Sequence, residues 1–339
     1  FVVTPWSTDF GESFTTVLRT ALYILGSILI WAFLSVSESR VRLALVCLMG
    51  ASTLSIGIAA FCLLFPETSD PILNALHKRQ TDSIHFFKAY AAASVCLIPV
   101  LIWAGGKLGK RWSRLGWGLA LPALFIIIAT SNRAAIAGLV AVLFILIVLM
   151  VWNRSRLLSL VVMMAIPAIV LPWVWWTRRL LPGASTDFMP AWLVDSHRQF
   201  IWQFTLEKFS DSPWAGWGAN RINFAPGADT YSTELKGIYI SSHPHNWILE
   251  ILSECGIFGL TALLIALGLL AWRLILAYNR TKDSAYLALI TLSTAFFASS
   301  LFNFSIWSTW WLLTYFVLFA IISASHGKPF VIKKILTES

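Results

Sequence analysis

An all-α integral membrane protein is what this sequence predicts, on three observations. Of its 339 residues 58% are hydrophobic and only 12% charged, and the mean hydropathy is +0.75, outside the range of water-soluble domains of this size. The apolar residues gather into stretches able to cross a hydrocarbon layer of about 30 Å, which takes roughly 20 helical residues. Lysine and arginine are sorted into alternate connections between those stretches, as topology requires.

Nine stretches meet or approach the required length: 17–36, 43–65, 86–105, 115–130, 134–152, 157–176, 246–277, 284–303 and 305–324. The fourth is short and contains Pro122, which a membrane helix tolerates when neighbours satisfy the freed carbonyl. The organisation expected is six spans within 1–176, a large loop over 177–245, three spans within 246–324 and a tail over 325–339.

One set of connections, with the tail, holds Arg40 and Arg42, Lys107 to Arg114, Arg154 and Arg156, Arg273 to Lys282, and Lys328 to Lys334: 14 basic residues against the three acids Glu38, Asp283 and Glu338. That side is expected to be cytoplasmic and the large loop extracytoplasmic. Nine crossings then put Phe1 outside. With no cleavable signal at the start, an odd number of leading helices is expected to precede it in the natural protein. The net charge of +9 is mostly topological and calls for membrane lipids rather than a nucleic-acid partner. Cys47, Cys62, Cys96 and Cys255 fall in or beside apolar stretches without paired spacing and read as small core residues, neither a disulfide framework nor a thiolate metal site.

A structured loop as long as 177–245 is usually a working one. Within it "AWLVDSHRQFIWQFTLEKF" (191–209) gathers Leu193, Phe200, Ile201 and Phe204 on one face, with Asp195, Arg198, Glu207 and Lys208 mostly away from it. That pattern suits a helix lying in the outer interface. "DSPWAGWGANRINFAPGADT" (211–230) is too rich in glycine and proline for regular structure and predicts a shaped loop.

Candidate site residues cluster on this face. Arg133, in "TSNRAAIAG", opens the fifth span on the side otherwise poor in positive charge, where an arginine is costly unless paired or wet. A cation snorkelling to lipid headgroups is the alternative. Arg198, with Trp202 one turn on, and Arg221 in "GANR" are further candidates, with a headgroup cation and a solvated loop residue as their alternatives. In "SSHPHNWILE" (241–250), His245 precedes a helix expected to begin at Asn246, whose dipole favours a neutral imidazole able to take a proton. Loop capping or headgroup contact by His243 and His245 is the alternative, and zinc is disfavoured because only His197 stands by as a third ligand. Glu250 and Glu254, spaced i,i+4, either assist such a base or face the wet loop, the second being the simpler expectation.

"HPHNWILEILSECGIFGL" (243–260) resembles the His-Asn-x9-Gly element of the bacterial O-antigen ligase and O-antigen polymerase superfamily. The resemblance extends to "RQFIWQFTLEKFSDSPWAGWGANRINF" (198–224), similar to an Arg, a Trp four residues on and a Pro-x-x-Gly-x-Gly loop. It also takes in "TSNRAAIAG" (130–138), similar to a Ser-Arg start of a membrane helix and here reading Ser-Asn-Arg. What it implies is transfer of a glycan from undecaprenyl diphosphate to an acceptor hydroxyl on the periplasmic face of the bacterial inner membrane, without metal or cofactor, in proteins of about twelve spans.

In those roles Arg133, Arg198 and Arg221 would bind the diphosphate, since guanidinium forks hold phosphate oxygens and stay charged. Arg133 would add the backbone donors of a helix N-terminus. His245 would deprotonate the hydroxyl as it attacks the anomeric carbon opposite the diphosphate, giving inversion. No Asp-x-Asp metal element or phosphate-binding glycine loop is present. The His-Pro-His-Asn form and the single dominant outer loop favour an O-antigen ligase, with a lipid A-core acceptor, over a polymerase joining lipid-linked repeats. A lipid-linked oligosaccharide transporter is the non-enzymatic alternative, disfavoured because the mid-span regions carry almost no charge.

Overall fold

The structure is a computed structural model and describes residues 7–77, 80, 82–152, 154–155, 157–158, 161, 196–232, 237–240, 242–302 and 304–326. Its helices, in chain order, are α1 (Phe10–Ser35), α2 (Glu38–Leu64), α3 (Pro66–His77), α4 (Ser83–Phe86), α5 (Lys88–Leu108), α6 (Lys110–Ala129), α7 (Arg133–Trp152), α8 (Ser196–Asp211), α9 (Trp247–Thr281), α10 (Ser284–Ser299) and α11 (Thr309–Ala324). A 3-10 turn at Ile222–Phe224 and a hairpin of two-residue strands, β1 (Tyr231–Ser232) and β2 (Gly237–Ile238), complete the described elements. The chain is thus an all-α, multi-pass membrane protein.

Among the described residues α1, α2, α5, α6, α7 and α9 are long and apolar enough to cross a bilayer. The expected spans over 284–303 and 305–324 are 16-residue helices, at ~1.5 Å per residue shorter than the hydrocarbon layer. They stop short because the residues between them turn to make specific hydrogen bonds, described below. The expected span over 157–176 lies almost wholly outside the described residues. The modest loop over 66–85 is largely helical: α3 starts at Pro66, where a missing N–H costs nothing, and the Asp82 carboxylate caps α4 by accepting from the His85 amide at 2.7 Å.

The chain divides into two compact units. One comprises Arg19–Val142, Leu267–Phe302 and Ser308–Ser339. At its centre α5 and α6 form a close antiparallel pair. Gly105 and Gly116 make it possible: a Cβ on either would collide with the backbone of Trp112 or Leu101 on the facing helix. Gly138 of α7 similarly lets that helix approach Val95 of α5 and Ala295 and Ser299 of α10. Phe296 stacks on Trp311 and Tyr315 with centroids 4.7 and 4.6 Å apart, and the indole of the fully buried Trp311 donates to Ser300 Oγ at 2.7 Å.

The other unit comprises Phe1–Leu18, Leu143–Ala266 and Asn303–Trp307. Ile201 and Phe204 of α8 are buried in a small core with Ile222, Ala225, Ala228 and Ile240. The protein's own Gly/Pro-rich loop therefore covers much of the apolar face read from residues 191–209; Leu193 and Asp195 lie outside the described residues. The Trp217 indole donates to the Lys208 carbonyl at 2.7 Å, satisfying one of the orphan acceptors in the last turn of α8.

Candidate functional site

The turn from 242 to 246 is built by hydrogen bonds that its own residues and α8 supply. Asn246 is the N-cap of α9: its side-chain oxygen accepts from the Ile248 and Leu249 amides at 3.0 and 3.2 Å. His245, immediately before it, has φ 56°, a left-handed backbone conformation uncommon for a residue with a side chain and typical of strained functional positions. Two contacts hold it there. The Trp202 indole donates to the Pro244 carbonyl at 2.9 Å, and the His245 amide donates to His243 Nδ1 at 3.1 Å.

These contacts separate the two imidazoles. His243 Nδ1 is an acceptor, so its lone pair is committed to the turn; burial, then the charges of His245 and Arg198, hold its pKa down to about 3. It is a neutral, structural ring. The His245 ring lies beside it, with centroids 4.1 Å apart. Arg198, on the first turn of α8, brings a cation close enough to act on the His243 ring.

In the first two turns of α9 lies a feature for which the sequence suggested another environment. Glu250 and Glu254, expected to face a wet loop, are each only 1% exposed, and backbone and side-chain donors reach both oxygens of each. Glu254 accepts from the Asn220 amide at 2.7 Å, the Ile222 amide at 3.1 Å and the Trp307 indole. Glu250 accepts from the Ile306 amide at 2.9 Å and the Ser305 hydroxyl. Buried carboxylates are tolerated only with such partners. The helix after His245 is thereby tied to the 213–222 loop and to residues 305–307, which is why α10 and α11 are shorter than expected. A carboxylate pair in an otherwise apolar helix was the available sequence signal, since two exposed acids have no reason to sit there.

The glycines of the quoted motifs close this junction. At Gly256, with φ 67° and ψ −172°, α9 breaks its helical path, and the break frees carbonyls before it and amides after it. The Pro-x-x-Gly-x-Gly loop takes up both sets. Trp217 and Gly218 amides donate to the Ser253 and Glu254 carbonyls at 2.9 and 2.8 Å, and the Ile257 amide donates to the Pro213 carbonyl at 2.9 Å. The approach is so close that a Cβ on Gly256 would collide with the Trp214 carbonyl, and one on Gly216 with the Glu254 backbone. Gly216, at φ 74°, also needs the conformational freedom of glycine.

The arginines are placed differently from one another. Arg198 is near the histidine turn. Arg221 has its Nη2 3.6 Å from an Asp9 carboxylate oxygen and its guanidinium 4.2 Å above the Phe224 ring, so it ties the loop to the start of α1. Arg133 belongs to the other unit, exposed at the first residue of α7. The Asn of Ser-Asn-Arg has a function there: Asn132 Oδ1 accepts from the Ala135 amide at 3.1 Å, capping α7, while its Nδ2 donates to the Lys88 carbonyl at 2.6 Å. Among the described residues no group of three or more His, Cys, Asp or Glu side chains is placed to hold a metal ion.

Comparison with known proteins gives this geometry a context. Residues 117–264 match the family described as O-Antigen ligase, a stretch that contains the histidine turn, both buried glutamates and the three arginines. Proteins provisionally named polysaccharide ligases are similar to part of the chain. Those of Rickettsia typhi and Rickettsia prowazekii are each 28% identical over 123 residues, which is 35% of this chain and 29% of the relative. One from Rickettsia bellii is 27% identical over 135 residues, 38% of this chain and 32% of the relative. The matched region thus spans about a third or less of each relative's length.

Proposed function

We propose, from the match of residues 117–264 to the family described as O-Antigen ligase, that this chain is a glycosyltransferase moving O-antigen polysaccharide from undecaprenyl diphosphate to a hydroxyl of the lipid A-core oligosaccharide. It works at the periplasmic face of the bacterial inner membrane, with inversion and without a metal. The observation that carries the reading is the His243–Asn246 turn, where one imidazole is committed to hydrogen bonding and the other is held in a strained backbone conformation beside it.

In this mechanism His245 accepts the proton of the acceptor hydroxyl as the oxygen attacks the anomeric carbon. The glycosidic C–O bond breaks on the opposite face, and its electron pair leaves with the diphosphate. Arg198, near the turn, supplies positive charge for the leaving group, and Arg133 keeps the diphosphate-binding role that its motif suggests. Arg221, bound to Asp9 and Phe224, serves that anion less directly by holding the loop. The orientation follows from the excess of 14 basic over three acidic residues on the side away from this turn.

The test is transfer by the purified protein in nanodiscs, offered a lipid-linked glycan with either lipid A-core or a second lipid-linked repeat, with and without EDTA. Extension of lipid A-core, undiminished by EDTA, is expected. Extension of the lipid-linked repeat alone would make the protein a polymerase, and loss of transfer in EDTA restored by Mg²⁺ would refute the metal-independent mechanism.

A further inference from the structure

The face of α8 turned away from the histidine site carries a cleft of about 290 Å³, lined on its other side by Pro226, Gly227, Thr230 and Tyr239. With 3.6 residues per turn, Arg198 and Trp202 fall on one side of the helix and the cleft residues Phe200, Gln203 and Glu207 on the other. Half-buried Phe200 and Tyr239 provide apolar surface, with Tyr239 stacked on Phe204 at 5.5 Å and 14°. Gln203, Glu207 and Thr230 provide exposed hydrogen-bonding groups on its rim. The wall is set by backbone bonds: Tyr239 donates to the Thr230 carbonyl at 3.3 Å and Ile240 to the Ala228 carbonyl at 3.1 Å.

The chemistry of the lining narrows its ligand. More of its surface is polar than apolar, which does not suit an acyl or isoprenoid chain. An anion is also disfavoured: Lys208, the cation of the cleft, already pairs with Asp211 at 3.2 Å, and the Glu207 carboxylate adds uncompensated negative charge. Aromatic surface bordered by an amide, a carboxylate and two hydroxyls instead matches a sugar ring, which has apolar C–H faces and a rim of hydroxyls that both donate and accept.

We propose that this cleft is a saccharide subsite that holds the glycan of the substrate at a ring distal to the reacting one, about one helix diameter (~10 Å) from the His245 turn. It rests on the transferase reading above, and it gives α8 two tasks: one face braces the reacting end, and the other grips the chain.

The test titrates soluble oligosaccharides, released from the producing strain's own lipid-linked polysaccharide, into the full chain in nanodiscs, with binding read by saturation-transfer NMR. A parallel arm uses glycerophosphoglycerol and glycerophosphoethanolamine as soluble lipid headgroups. Tyr239→Ala, and separately the Gln203→Ala/Thr230→Ala pair at exposed positions, are expected to weaken oligosaccharide binding about tenfold. They should raise KM for a long-chain donor similarly while leaving transfer from a single-repeat donor intact. Oligosaccharide binding untouched by both sets of variants, or binding of headgroups in place of oligosaccharide, would overturn the subsite. Variant-sensitive binding in a protein that transfers nothing would instead retain the subsite and refute the transferase reading.

Discussion

Replacing Gly256 with alanine should open the junction beneath the histidine turn, and the structure allows the size of the effect to be worked out. The backbone at φ 67° and ψ −172° lies in a region reserved almost entirely for glycine, so a side chain there costs about 1–3 kcal/mol. The added Cβ would also collide with the Trp214 carbonyl, forcing the 213–218 loop away and disrupting the Trp217–Ser253, Gly218–Glu254 and Ile257–Pro213 backbone bonds. At about 0.5–1.5 kcal/mol net for each bond, the total is on the order of 3–7 kcal/mol, comparable with the whole stability of many domains. Cys255 is a reporter next to the break, at 7% exposure. In a background with Cys47, Cys62 and Cys96 replaced by alanine, its maleimide labelling rate should rise at least ~100-fold, since each 1.4 kcal/mol is a factor of ten. Gly268→Ala in the same helix is the control: an added Cβ there meets nothing within 4 Å, and labelling should not change. A Gly256→Ala protein that labels and transfers like the parent would refute the account of the junction.

Other expectations follow from the same contacts. Glu254→Gln preserves size but sets an amide NH₂ against at least one of three donors that the carboxylate now accepts; a cost of about 2–4 kcal/mol should lower the thermal midpoint in detergent, and an unchanged midpoint would refute the clamp. His243 has its pKa held down to about 3 from an ordinary 6.5, so the unfolded or opened turn binds more protons than the folded one between those values. Stability of the turn should therefore be full at neutral pH and fall as pH drops from about 6.5 towards 3. Protection of the Ile248 and Leu249 amides, taken as exchange relative to the intrinsic rate at each pH, should fall over that window, and His243→Gln should remove the dependence. His245→Ala should reduce turnover by about 10² or more with donor binding retained, and His243→Ala should reduce it less. Normal turnover in a correctly inserted His245 variant would remove that residue as the base.

What the sequence determined by itself is whatever depends on nearest neighbours along the chain. Transfer of about 20 consecutive apolar residues into hydrocarbon is a local sum, so six of the expected spans correspond to long helices within the described residues. A cap is equally local, and Asn246 caps α9, which starts one residue after the expected position. The density of glycine and proline in 211–230 announced an irregular loop for the same reason.

The tertiary structure decided where polar groups find partners. Glu254 and Glu250 read as wet because a carboxylate is costly in an apolar setting, and nothing near them in sequence offers compensation. Their donors come from Asn220 and Ile222, more than 30 positions earlier, and from residues 305–307, more than 50 positions later. Arg221 is likewise claimed by Asp9 from the far end of the chain, and the helical break at Gly256 is sustained by loop amides and a carbonyl that start about 40 positions upstream. Hydrogen bonds of this kind are set by distance in space, to a few tenths of an ångström, and periodicity along a helix carries no record of them.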